Sequence, residues 1–216
     1  MLYPVSRLLV AILIKPFIKK VHGEENIIRN SPFILACNHS SYFDDIIIPA
    51  IVMPIIDKKM HFYVSSNYFN NRITRAYLNH YEAIPIDTKK GKKQKQTNKK
   101  AFDAALTYLK KDEFVVIFPE GARTLTGKIQ KGKTGVARLA LGAKVPVIPI
   151  GIKGTFDLMP KGKIIPKFKK SVIVSVGKPI YFDKYYKMKA TKKLFRQLTD
   201  EVMKEIAKLS GQEYNP

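Results

Sequence analysis

Two apolar runs, FVVIF at 114–118 and VIPIGI at 147–152, carry no polar residue at alternate positions. A strand with one wet face alternates apolar and polar side chains, whereas a strand covered on both faces does not. These runs, with FILA at 33–36, therefore call for a sheet with helices on both sides. Strands are predicted at 26–29, 33–38, 61–65, 83–87, 114–119, 147–152 and 171–177. The last, SVIVSVG, alternates and reads as a strand nearer an edge. Between them run helical patterns. Phe102, Ala105, Leu106 and Leu109 share one face of a helix predicted over 97–111, and Val136, Leu139, Ala140 and Ala143 do so in the next. Leu194, Leu198, Val202 and Ile206 mark a C-terminal helix. The expected fold is α/β: a single domain with a largely parallel central sheet covered by helices on both faces, plus an N-terminal apolar and basic helix. In such sheets, sites gather at the carboxyl ends of strands.

The N-terminal run LLVAILI at 8–14 has seven residues between Arg7 and Lys15. A membrane-spanning helix needs roughly 20 apolar residues. No small-residue cleavage site follows, and Lys15, Lys19 and Lys20 stand behind the run, so a signal peptide is not expected. A helix over 3–20 remains. It can pack on the core, or lie in the headgroup layer with its lysines on anionic lipid.

Charge constrains partners rather than fold. Thirty-nine Lys and Arg stand against 17 Asp and Glu, a net +22, and only seven of the 39 are Arg. That balance fits an anionic membrane surface or phosphorylated and acidic substrates and carriers. Nucleic-acid recognition leans on arginine forks and aromatic stacking platforms, and here the aromatics are scattered, so no nucleic-acid partner is expected. The lysine-rich stretch KKGKKQKQTNKK at 89–100 reads as a solvated loop running into a helix, or as a docking surface for phosphate headgroups. The single cysteine, Cys37, forms no internal disulfide and no metal cluster, and a reducing compartment is expected.

The stretch CNHSSYFDD at 37–45 follows the run FILA. On a continuous helix, His39 and Asp44 would lie about 140° apart and could not meet. They meet if His39 ends a strand, Ser40–Phe43 turn, and Asp44 enters the first turn of a helix. Ser40 and Ser41 suit a helix start, and Asp44 and Asp45 suit its positive end. A carboxylate on Nδ1 would leave Nε2 as proton acceptor, the geometry of a general base. Spacing alone does not choose between Asp44 and Asp45, nor between a catalytic and a structural histidine. A serine nucleophile lacks its Gly-x-Ser-x-Gly elbow. Cys37 shares a strand face with His39, which leaves a Cys–His pair open beside the plainer reading of a core cysteine.

The strand FVVIF opens into Pro119, Glu120, Gly121, Ala122 and Arg123. An arginine at a strand end beside a glycine turn can bind a phosphate with its fork and with backbone N–H groups. KGKTG at 131–135 opens the next helix and favours anions there. It lacks the full Walker pattern, so nucleotide binding is not expected.

Asn38-His39 with Asp44 five residues beyond the histidine, then FPEGAR at 118–123, then VPVIPI at 145–150, and VGKPI at 176–180, resemble the ordered motifs of the 1-acyl-sn-glycerol-3-phosphate acyltransferase family. The resemblance covers roughly residues 28–182. It implies acyl transfer from a thioester of acyl carrier protein or coenzyme A to the free hydroxyl of a lysophospholipid such as lysophosphatidic acid. His39 would be the general base and Asp44, rather than Asp45, would orient it. Glu120, Gly121 and Arg123 would form the phosphate site, and residues 145–150 would support the donor side. No metal, cofactor or covalent acyl-enzyme is implied. The expected division is a membrane-surface helix at 1–22 and an acyltransferase domain at 23–216, lying peripherally or monotopically on the cytoplasmic face of a membrane. Two blocks depart from the family pattern. Ala122 replaces the usual threonine. The block at 82–88 has Glu82 and Thr88 where glycine and arginine are usual, with Lys89 or Lys90 as auxiliary phosphate contacts.

Overall fold

The reason the middle strands are apolar on both faces is visible in the strand order. The computed structural model describes residues 12–216 except Asp57, residues 88–90 and Ile164. Its strands are β1 (Ile18–His22), β2 (Ile34–Cys37), β3 (Met60–Ser65), β4 (Ile84–Ile86), β5 (Phe114–Ile117), β6 (Val147–Lys153) and β7 (Val172–Val176). They form one sheet in the order β1-β7-β6-β2-β5-β3-β4. All neighbours pair in parallel except β6 and β7. The run FILA supplies the central strand, and FVVIF and VIPIGI supply its two neighbours.

The helices are α1 (Asp44–Val52), α2 (Arg72–His80), α3 (Lys92–Lys110), α4 (Gly135–Ala143), α5 (Thr155–Leu158) and α6 (Lys192–Ser210). Alternate residues of the central strand feed two cores. Phe33, Leu35 and Cys37 pack with Ile47, Ile48 and Ile51 of α1. Ile34 and Ala36 pack with Leu109 of α3, Leu139 of α4 and Val202 of α6. The period-2 alternation of a strand thus sends its side chains into apolar layers on both sides, which is why no polar residue interrupts it.

Three readings of the sequence need correction. The segment predicted as a strand at 26–29 begins in a 3-10 turn at Glu24–Asn26, because Gly23 takes φ +74° and bends the chain there. The Asn26 side chain instead donates to the Val176 carbonyl, 2.9 Å away. The helix predicted over 3–20 lies outside the described residues up to position 11. Residues 12–14 are helical, Lys15–Phe17 form a 3-10 turn, and Ile18–His22 are strand β1. Pro16, with no N–H to donate, ends the helix. Lys19 and Lys20 are the exposed residues of an edge strand, where lysines discourage pairing with another chain. The sheet therefore begins by Ile18, ahead of the boundary placed at residue 22. Helix α2 and the short α5 were not predicted.

In β6, Gly151 marks a close approach of two backbones. A Cβ there would lie 2.3 Å from the Leu209 carbonyl carbon and the Ser210 nitrogen of α6. The strand and the helix backbone touch with no side chain between them. Gly151→Ala should therefore destabilise the protein by about 1–3 kcal/mol through overpacking, read as a lowered Tm in thermal unfolding. An unchanged Tm would refute that contact.

Candidate active site

The candidate site is assembled at the carboxyl ends of three adjacent strands, β5, β2 and β6. Asn38 extends the β2–β6 ladder with its side chain: Nδ2 donates to the Ile152 carbonyl at 2.9 Å, and Oδ1 accepts from the Ile152 N–H at 2.7 Å. The main chain leaves the sheet at His39 and turns through Ser40–Phe43, and α1 begins at Asp44. The turn required by the spacing is present.

Asp44 is fully buried. Its Oδ2 accepts from the backbone N–H of Ser40 at 2.7 Å and of Ser41 at 2.8 Å, and lies 3.1 Å from His39 Nδ1. Its Oδ1 accepts from Thr155 Oγ1 at 2.6 Å, across from the β6 end. An ionised carboxylate only accepts, so the Nδ1 facing it carries the proton and a neutral ring keeps its lone pair on Nε2. Nε2 has no protein partner among the described residues, and His39 lines a cleft. The ring stacks on Phe118 at 3.9 Å between centroids and 17° between planes.

The competing nucleophiles are committed elsewhere. Ser41 Oγ donates to the Met159 carbonyl at 2.6 Å. Ser40 Oγ lies 3.0 Å from Thr155 Oγ1, whose own proton goes to Asp44, so Ser40 is the donor of that pair. Cys37 is buried in the apolar core, and desolvation, with Asp44 and Asp45 adding, raises its thiol pKa well above the ordinary value. A thiol held protonated is a poor nucleophile.

The loop after β5 grips the main chain of His39 on both sides. Glu120 Oε1 accepts from the His39 N–H at 2.7 Å, and the Thr124 N–H donates to the His39 carbonyl at 3.0 Å. Glu120 Oε2 accepts from the Gln130 N–H at 2.8 Å. This corrects the grouping of Glu120 with the phosphate site: its carboxylate is buried, is filled by two amides and does not line the cleft. Burial pushes its pKa up to about 7, against the lowering effect of those two N–H groups.

Gly121 and Arg123 do line the cleft. Gly121 takes φ +72°, and the Lys133 side chain passes where its Cβ would be, with Nζ 2.5 Å from that point. The Arg123 guanidinium carbon sits 3.2 Å from the centre of the Tyr42 ring. Its Nη1 is buried with no hydrogen-bond partner. A buried unpaired donor is costly; this nitrogen is itself closed off, while the rest of the Arg123 side chain lines the cleft with Lys133. Tyr42 is held in turn by Tyr68, hydroxyl to hydroxyl at 2.5 Å.

The cleft encloses about 880 Å³. Val64, Ile86, Phe102 and Ile117 form apolar wall, and Lys95, Lys99 and Arg138 add positive charge away from Arg123. Asp45 also opens onto it. Its exposed surface faces the concavity, where the surrounding protein limits solvation and pushes its pKa up to about 6, an effect that His39 opposes. Residues 145–150 do not reach the cleft; Val147, Ile148 and Ile150 are buried beside β2, and the motif serves as a scaffold. Lys89 and Lys90 lie outside the described residues. Thr155 and Lys133 were not singled out from the sequence as site residues, although KGKTG marked Lys133 as part of an anion-favouring turn.

One group among the described residues has the donor set for a cation: His61, Glu82 and Glu113, with ligand atoms within 4.8 Å of one another. It lies outside the cleft, and its groups already satisfy each other. His61 Nε2 meets Glu113 at 2.9 Å, Nδ1 meets the Glu82 carbonyl at 3.2 Å, and the Glu82 carboxylate pairs with Lys59.

Comparison with known proteins agrees with this architecture. A family model described as Acyltransferase matches residues 19–153. The 1-acyl-sn-glycerol-3-phosphate acyltransferase of Bacillus subtilis (strain 168) is 28% identical over 148 residues, covering 67% of this chain and 69% of that protein. The Saccharomyces cerevisiae protein of the same name is 30% identical over 209 residues, covering 87% of this chain and 60% of that one. The chloroplastic BAT2 protein of Brassica napus, also so named, is 26% identical over 182 residues, covering 83% of this chain and 50% of its own length. The chain thus spans from half to about two thirds of the length of these relatives. In fold, it superposes on the crystal structure of the 1-acyl-sn-glycerophosphate (LPA) acyltransferase PlsC from Thermotoga maritima. The TM-score is 0.66 at 22% identity, over 99% of this chain and 85% of that one. With its matched segment running from β1 through the histidine turn and the Glu-Gly-Ala-Arg loop to the end of β6, the chain belongs to the acyltransferase family.

Proposed function

We propose that the chain transfers an acyl group from a thioester to the free hydroxyl of lysophosphatidic acid or a related lysophospholipid, in phospholipid biosynthesis. The observation that carries the reading is the pairing in one cleft of His39, whose Nε2 has no partner among the described residues, with the cationic Arg123, whose buried Nη1 is unpaired. A phosphate-bearing alcohol fits both. The names of the relatives support the acceptor class.

In this reading Arg123 and Lys133 hold the acceptor's phosphate, and the Gly121 turn lets Lys133 approach. The acceptor hydroxyl lies at His39 Nε2, which takes its proton as the oxygen attacks the thioester carbonyl. Asp44 keeps Nδ1–H in place and stabilises the imidazolium that forms. The tetrahedral intermediate collapses, the C–S bond breaks, and the Nε2 proton leaves with the thiolate as free thiol. The acyl chain lies along the wall of Val64, Ile86, Phe102 and Ile117. Attack is direct, with no acyl-enzyme and no cofactor. The donor is a thioester of acyl carrier protein or coenzyme A, both anionic, drawn in by the +22 charge. Glu120 acts as a positioning residue through the His39 N–H. The protein works at the cytoplasmic face of an anionic membrane with no nucleic-acid partner. No helix of the described residues is long and apolar enough to cross a membrane.

His39→Ala should lower kcat for phosphatidic acid formation and thiol release by about 10²–10⁴-fold. Full activity in that variant, or free fatty acid as the product of the native protein, would refute the mechanism. Arg123→Ala should raise KM for lysophosphatidic acid about 10–100-fold, the loss of a charged hydrogen bond. An unchanged KM removes Arg123 from the phosphate site. Glu120 makes a further prediction about pH. Its pKa in the fold, about 7, lies above the ordinary carboxylate value, so the native state binds the proton more tightly than the unfolded chain. Its contribution to stability is full below the ordinary carboxylate pKa and is lost as pH rises to about 7, on the order of 3 kcal/mol. Asp45 acts in the same direction. In urea titrations, Glu120→Gln should flatten this decline relative to the native protein, and identical slopes would exclude Glu120 as its source.

A further inference from the structure

Helix α2 is well built, yet it buries nothing. Asn71 caps it, its Oδ1 accepting from the Ile73 N–H at 2.9 Å and the Thr74 N–H at 3.2 Å. A nine-residue helix is marginal alone and normally gains its stability by packing an apolar face. In α2 no residue is buried, and only Leu78 is even half-buried. Ile73, Ala76, Tyr77 and His80 share one face by helical spacing, and that face is turned to solvent. Ile73 is 81% exposed and Tyr77 62% exposed. The Tyr77 ring lies 4.8 Å from that of Tyr81 and the His80 ring 5.1 Å from it, so the stripe continues as an aromatic cluster past the helix end. Arg72 lies to the side of the stripe, and Arg75, about 150° round from its centre, lies on the far face.

The helix also sits on the rim of the cleft. Thr74 Oγ1 donates to the Tyr68 carbonyl. Tyr68 is cleft wall, and its hydroxyl holds Tyr42, on which Arg123 stacks. Two residues, Tyr68 and Tyr42, therefore separate Thr74 of α2 from the group given the acceptor's phosphate.

We propose that α2 is an interfacial anchor: Ile73 and Tyr77 enter the acyl-chain boundary of an anionic bilayer, Arg72 at the side of the stripe meets its phosphates, and the cleft mouth faces the lipid. Charge selects this occupant. A chain of net +22 repels a second copy of itself and is drawn to an anionic surface. Apolar and aromatic side chains flanked by arginine are the composition of a helix lying in the headgroup layer. The inference rests on the lipid acceptor proposed above, and it explains how a water-insoluble acceptor reaches His39 without leaving the membrane.

The test uses the full chain with Ile73→Asp and Tyr77→Asp combined. Both residues are exposed, so circular dichroism and Tm should match the native protein. Three measurements are compared: co-sedimentation with phosphatidylglycerol vesicles, turnover of lysophosphatidic acid embedded in those vesicles, and turnover of a short-chain lysophosphatidic acid dissolved as monomer. The double variant should lose vesicle binding and vesicle turnover by about tenfold or more, and keep monomer turnover within about twofold. Arg72→Glu should weaken binding to phosphatidylglycerol vesicles and leave binding to neutral phosphatidylcholine vesicles unchanged. Vesicle binding equal to the native protein's overturns the proposal. So does sedimentation showing that the native chain is a dimer which the double variant dissociates, because a second copy would then cover the stripe. If the native chain fails on the monomeric acceptor as well, the acyl-transfer reading fails, while the vesicle-binding comparison still decides the role of α2.

Discussion

The Asp44 carboxylate carries its charge at a point with no solvent exposure. A buried charge is tolerated only when its lone pairs are filled. Four donors fill them: the Ser40 and Ser41 amides, His39 Nδ1 and Thr155 Oγ1. The start of a helix adds its positive dipole end. Each donor comes from a defined place in the chain. The amides require the tight turn after β2, and the threonine requires the end of β6 to lie beside it. The orientation of His39 is thus not set by the histidine itself. It follows from satisfying a neighbouring charge, and the apolar sheet beneath exists in a form that brings those ends together.

A second set of bonds ties the histidine to the loop after β5. The His39 N–H goes to the Glu120 carboxylate and its carbonyl to the Thr124 N–H, so the segment that carries Arg123 is fixed to the main chain that carries the imidazole. Such bonds do not depend on flexible side-chain torsions at the histidine. They hold the imidazole and the segment of Arg123 at one spacing. Phe118 completes the clamp by stacking on the ring from the same loop.

Much of this was legible in the residues. Unbroken apolar runs gave the central strands, because a strand covered on both faces has no alternation to show. The helical angle between His39 and Asp44 excluded a continuous helix and required the turn that is present. Other features left no local trace. Thr155 reaches Asp44 across 111 positions, a link made by sheet order alone. Glu120 sits in the same tetrad as Gly121 and Arg123, but in the turn after β5 its carboxylate is drawn inward by the His39 and Gln130 N–H groups while those two residues face the cleft. In β1, the edge lysines resemble the basic end of a helix, because an edge strand and a helix terminus both favour exposed charge. Helix α2 escaped notice because its apolar stripe has no core to match it.

The two departures from the family pattern acquire different meanings in the structure. Ala122 lines the cleft, so loss of the usual threonine removes a hydroxyl from the wall itself. Glu82 does not touch the cleft. It takes φ +51°, the left-handed conformation that suits the glycine usual at this position. A residue with a side chain costs about 1–2 kcal/mol there, and Glu82 offsets this with interactions that glycine lacks or shares. Its carboxylate pairs with Lys59, and its carbonyl receives His61. The backbone shape is kept while the chemistry moves to the outside of the fold. Substitution at this position therefore bears on the turn that leads into β4, and not directly on the acceptor. The positive charge on the cleft lies instead at Arg123, with Lys133 across Gly121. The arginine contributes a directional fork and the lysine a point charge, a division that fits the acceptor's phosphate in the function proposed above.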